Sequence, residues 1–165
     1  MNKKDSFNQD TIRIYPCSKP EHWKAAKTIT NIYFDYLGID LSFQNIQAEM
    51  NQFETEYYPP NGCYLIAKIN TFLAGGGGFR KWDENICEMK RLYVFDEFRE
   101  KGIGKKLCAE LINFAKSCGY KKMRLDTLLR LEKANALYKR MGFYDIPPYR
   151  ENPLEDARFL EISIW

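Results

Sequence analysis

The chain has 165 residues, enough for about one domain that buries roughly two-thirds of the surface its unfolded form exposes. Its 25 Lys and Arg against 22 Asp and Glu leave a net charge of +3 with the two signs mixed along the chain, which argues against the one-sided basic excess of a nucleic-acid binder. Five cysteines without paired metal spacing, a lone His22, no apolar run of membrane-spanning length and a polar start without a signal-peptide core make the expected setting a reduced cytoplasm, with no metal and no membrane partner.

Residues 1–10 are polar and read as a frayed, flexible end of a single domain covering residues 1–165. Residues 11–15 alternate as a strand, and Pro16 to Pro20 breaks it before a helical pattern from about Glu21 that runs through Trp23, Ala26 and Ile29 to a stop at Gly38. A second helix is expected over residues 42–57, with Phe43, Ile46, Met50 and Phe53 as its apolar stripe, closed by Pro59-Pro60-Asn61-Gly62. Residues 63–69 and 72–81 then read as a hairpin about Asn70-Thr71. Four consecutive glycines, Gly75 to Gly78, sit in its second strand at about 0.5–1 kcal/mol each against alanine. A bulge or strong twist accounts for them, and so would a ligand or another backbone lying against that surface. A strand over residues 86–94, a loop, a helix to about Cys118 capped by Gly119, and a strand over residues 121–127 form a right-handed crossover, so these two strands are parallel. A helix over residues 131–141 stops at Gly142, and two strands near residues 143–146 and 158–165 close the chain.

The crossover carries Arg99-Glu100-Lys101-Gly102-Ile103-Gly104 between its strand and its helix. Two glycines there permit torsions and close approach that a side chain would block, so successive N–H groups of the loop and first helical turn can converge on one anion. A dinucleotide fingerprint would need glycine at Leu107, and a P-loop would need glycine at Arg99 and Ser or Thr at Lys106, so neither fits. Taken alone, the loop is equally a plain strand-to-helix turn. The nearby Lys101, Lys105, Lys106, Lys121 and Lys122 suit either a solvated helix surface or a phosphorylated ligand.

The loop resembles the acyl-CoA loop of the GCN5-related N-acetyltransferase (GNAT) family, whose Arg or Gln, two residues, Gly, any residue, Gly or Ala pattern is met by Arg99, Gly102 and Gly104. A second stretch, Ala136 to Phe143, is similar to the family's Leu-Tyr-x-x-x-Gly-Phe motif. The resemblance implies an α/β (α+β) acyl-CoA N-acyltransferase fold: a mixed central sheet splayed between its fourth and fifth strands, with helices on both faces. It implies an N-acetyltransferase that takes acetyl-CoA as cosubstrate and a primary amine as acceptor, a small molecule or a peptide amine, in a ternary complex, and it is compatible with a homodimer. On the matching positions, the backbone of Leu92, Tyr93 and Val94 would pair with pantetheine, and the loop from Arg99 through Glu100, Lys101, Gly102, Ile103, Gly104 and Lys105 would hold the pyrophosphate. Glu88 matches the family's general-base glutamate, or is a surface carboxylate paired with Lys90 or Arg91. Tyr138 matches the family's proton donor to the leaving thiolate, or is a core tyrosine. An Asn that contacts CoA in many members is replaced here by Leu131, and nearby Asn135 does not match its position. The other open reading is a CoA-binding sensor or interaction module on the same fold, without turnover.

Overall fold

The computed structural model describes residues 9–165 and is built on a seven-stranded sheet in the order β1-β2-β3-β4-β5-β7-β6. The expected fraying of the amino-terminal end falls for residues 1–8 outside the described residues. Strands β1 (Ile12–Pro16), β2 (Cys63–Ile69), β3 (Phe72–Lys81) and β4 (Ile86–Val94) are successive antiparallel neighbours. Strand β5 (Lys122–Leu128) lies parallel to β4, and β7 (Ala157–Ser163) pairs antiparallel with both β5 and the short β6 (Tyr144–Asp145). The sheet is mixed, as the resemblance implies.

Alternation along β2 sorts the helices between the two faces. Cys63, Leu65, Ala67 and Ile69 pack into one core with Ile103, Leu107 and Leu111 of α4 (Ile103–Ser117) and Tyr138 of α5 (Glu132–Met141). Tyr64 and Ile66 face the other way, against Trp23, Ala26 and Ile29 of α1 (Pro20–Leu37) and against Phe53. Gly38 closes α1 at φ +60°, its N–H bonding the Phe34 carbonyl, and Gly142 closes α5 at φ +99°.

The expected helix over residues 42–57 is instead three pieces: a 3-10 turn (Ser42–Gln44), α2 (Ile46–Asn51) and α3 (Phe53–Glu56). Asn45 makes the first break in the left-handed region at φ +51°, a conformation Asn tolerates better than most residues. The other elements start and stop within a residue or two of expectation, with β6 only two residues long.

The four glycines answer to close backbone approach within the sheet itself. A β-carbon on Gly75 would stand 2.3 Å from the Tyr93 carbonyl oxygen, and one on Gly78 would stand 2.7 Å from that of Cys63. Opposite Gly77, β4 carries an extra residue: Gly76 pairs with Tyr93 while Gly78 pairs with Lys90, and Arg91 takes φ +63°. This bulge bends β4. Parallel pairing with β5 covers Ile86, Cys87 and Glu88, opposite Lys122, Met123 and Arg124, and beyond these pairs the two strands diverge.

Candidate active site

The divergence opens a cleft of about 680 Å³ between β4 and β5, walled by the start of α4, by α5 and by the end of α1. A cavity of this size and mixed lining is what a small-ligand site looks like. At one end stands the glycine loop. Glu100 at φ +63° and Gly102 at φ +79° turn the chain so that Gly102 precedes α4 without any side-chain cap. From Glu100 to Lys105 the backbone N–H groups find no acceptor among the described residues, the next bond being Lys106 N–H to the Gly102 carbonyl. Unmet donors at the positive end of a 15-residue helix fit a bound phosphate chain. At Gly104 an added β-carbon would meet only Leu137 at 3.6 Å and Val94 at 3.8 Å, so the protein leaves room there.

The expected cofactor residues gather on this cleft, with one exception. Leu92, Tyr93, Val94, Arg99, Glu100, Gly102, Ile103, Gly104 and Lys105 line it, whereas Lys101 turns aside to Asp10 at 2.8 Å. Arg99 is a brace as well as a wall: its Nε donates to the Val94 carbonyl at 3.2 Å, and its guanidinium lies 4.9 Å over Tyr36 and 5.6 Å over Tyr93. Tyr33 and Tyr36 of α1 both pack on Tyr93, at 5.4 and 5.2 Å between centroids, so α1 is tied to the strand that forms the cleft edge. Asn135 holds the turn before α5, donating to the carbonyls of Leu128 and Leu131, while Leu131 lines the cleft.

Tyr138 lines the cleft from α5 with its ring edge-on to Phe143, and burial lifts its hydroxyl well above the usual tyrosine range. Glu88 is fully buried and does not line the cleft. Its Oε2 accepts from the Tyr149 hydroxyl at 2.8 Å and lies 3.2 Å from Arg150 Nε, while Oε1 has no hydrogen-bond partner and lies 3.6 Å from Arg80 Nε.

What reaches the cleft instead is Lys90, two residues on and 4% exposed, with Nζ 3.8 Å from Glu88 Oε1 and 3.7 Å from Asp126 Oδ1. Burial, then the charge of Arg91, brings its ammonium down to about 8. Arg91, at the bulge, donates through Nε and Nη2 to Glu49 and through Nη1 to Gln44 at 2.8 Å, fastening α2 to β4. Sequence reasoning treated Lys90 and Arg91 only as partners of Glu88. The available signal was consecutive charges in the middle of a strand that must be covered on both faces.

A family model described as the acetyltransferase (GNAT) family matches residues 23–143. An uncharacterized N-acetyltransferase of Schizosaccharomyces pombe is 34% identical over 160 residues, covering 93% of this chain and 95% of its own. Among solved structures, a GNAT-family acetyltransferase of Staphylococcus aureus superposes with a TM-score of 0.77 at 21% identity, covering 94% of this chain and 100% of its own. A Bacillus subtilis acetyltransferase in complex with CoA gives a TM-score of 0.67 at 19% identity, covering 94% and 100%. With the splayed sheet, the uncapped glycine loop and these matches in hand, the chain belongs to the GNAT family of acetyltransferases.

Proposed function

We propose that this chain is an N-acetyltransferase that moves an acetyl group from acetyl-CoA to a primary amine by direct attack in a ternary complex. One observation carries the reading: the glycine loop with its unmet N–H groups, the β4 edge left open past Glu88 and the Tyr138 ring all border a single cleft. The N–H groups suit a pyrophosphate, and the open edge over Leu92 to Val94 suits the amide groups of pantetheine. The CoA complex of the Bacillus subtilis neighbour supports this choice of cosubstrate. When bound, acetyl-CoA supplies a thioester carbonyl ready for attack.

The residues of the chain then have two tasks. Tyr138, held protonated by burial, offers its hydroxyl to the departing sulfur. A thiol titrates near 8.5 and this hydroxyl well above 10, so the tyrosine stabilises the developing thiolate chiefly as a hydrogen-bond donor. The acceptor amine, with an ordinary pKa near 10.4, must shed a proton at pH 7 at a cost of about 4–5 kcal/mol. Incubating the protein with acetyl-CoA and a panel of amines while following free thiol tests the reading. Thiol release that depends on one class of amine is expected. Tight CoA binding in calorimetry with no release from any amine would instead make the chain a non-catalytic CoA-binding module.

A further inference from the structure

We propose that Lys90, in its neutral form, is the base that takes the proton from the acceptor amine; the assignment rests on the acetyltransferase reading above. Lys90 is a buried amine on the cleft wall at the point where β4 leaves β5. Glu88, the carboxylate in the family's base position, is sealed behind it under Tyr149, Arg80 and Arg150.

Two features of the geometry favour a neutral amine. Glu88 and Asp126 favour the ammonium, yet at 3.8 and 3.7 Å neither accepts a hydrogen bond from Nζ, which makes none among the described residues. A buried ammonium without direct acceptors is costly. The charged groups around it balance, three of each sign: Glu88 on its own strand, Asp126 from β5 and Glu49 from α2, against Arg91 on its own strand, Arg150 from the segment before β7 and Arg80 of β3, 3.6 Å from Glu88 Oε1. With the ammonium brought down to about 8, about a tenth of the molecules hold a neutral Lys90 at pH 7. For an alkyl ammonium near 10.4 the transfer to Lys90 is uphill by a factor of about 250.

The protons balance as follows. Neutral Lys90 takes one proton from the acceptor ammonium, and the freed lone pair forms the N–C bond as the C–S bond breaks. The nitrogen sheds a second proton as the amide forms, which replaces the one that the thiolate receives. Lys90 then releases its proton to solvent, so one proton leaves per turnover.

The test pairs Lys90→Met with Lys90→Arg, which keeps the positive charge but cannot act as a base, and uses acceptors graded from an alkyl amine near pKa 10 to an aryl amine near 5. Both variants should lose about 10²–10³-fold on the alkyl amine at pH 7 and less than about threefold on the aryl amine, which needs no deprotonation. The alkyl-amine loss should persist in Lys90→Arg. Recovery of rate in Lys90→Arg, or equal losses across the amine series, would make Lys90 an electrostatic or structural cation and overturn the assignment. An NMR titration of the lysine ammonium groups in the CoA-bound protein gives a readout independent of turnover. One resonance, absent from Lys90→Met, should titrate near 8, and a Lys90 that stays protonated past pH 10 would overturn the assignment. A wild type that releases no thiol with any amine overturns the acetyltransferase reading itself.

Discussion

Replacing Glu49 by Gln separates charge from shape at the joint that holds α2 against the bulge of β4. Glu49 and Arg91 are 2% and 6% exposed, and the guanidinium also donates to Gln44 and stacks 4.7 Å over Phe34, so it cannot follow a lost partner out to water. Burial alone would raise the Glu49 carboxyl, but the hydrogen bonds and charge of Arg91 hold it at about 2, against an ordinary 4.5. Holding the carboxyl at about 2 rather than 4.5 corresponds to about 3 kcal/mol of stability. Breaking a buried pair from one side costs about 3–5 kcal/mol, in agreement. Because the folded carboxyl lies below the unfolded one, the contribution is complete above about pH 4.5 and is lost as the pH falls toward 2. Urea unfolding at pH 7 should find Glu49→Gln about 3 kcal/mol less stable, a melting shift of roughly 6–12 °C for a chain of this size. The gap between variant and wild type should shrink between pH 4.5 and 2. A gap of the same size at pH 7 and pH 3, or none at pH 7, would refute the reasoning.

Two further outcomes follow from the cleft. Gly104→Val should keep the fold, since the new side chain points into room left by Leu137 and Val94, yet crowd the phosphate site; calorimetry should find CoA affinity reduced at least tenfold, and unchanged affinity would remove the loop from the site. Tyr138→Phe should lower the maximal rate by about 10²–10⁴-fold with CoA affinity and melting temperature nearly unchanged. Lost stability with a full rate per folded molecule would leave Tyr138 as a core residue.

Much of this architecture can be read from the sequence because the demands are local. The alternation of β2 and β3, the helical spacing of α4 and the glycines at positive φ in positions 38, 102 and 142 are each written in a few adjacent residues. The break at Asn45 is not legible in the same way, because the apolar stripe Phe43, Ile46, Met50, Phe53 keeps its spacing across it. What fixes α2 is Arg91, 42 residues away from Glu49. The same limit applies in the site. The loop and Tyr138 are singled out by motifs that resemble the family's, whereas Glu88 is sealed by Tyr149, 61 residues distant, and Lys90 lines the cleft because of where two strands part. Position in a splay is a property of the whole sheet.

The parting of β4 and β5 also makes a seam. Three residue pairs join the half-sheet β1-β2-β3-β4 to the half-sheet β5-β7-β6, while side chains from both halves, such as Met89 and Leu125, share one core beneath it. The halves are thus held together more by packing than by backbone ladder, and fluctuations that separate them break few hydrogen bonds. A molecule that bonds to the open edge and spans the gap works as a removable cross-link, worth about 2.7 kcal/mol at a hundred times its dissociation constant. Its protective effect on amide exchange should concentrate along residues 89–94 and 125–128, where β4 and β5 form no ladder with each other, while the outer strands change little. Slowing spread evenly over the whole sheet would mean that the seam does not open independently.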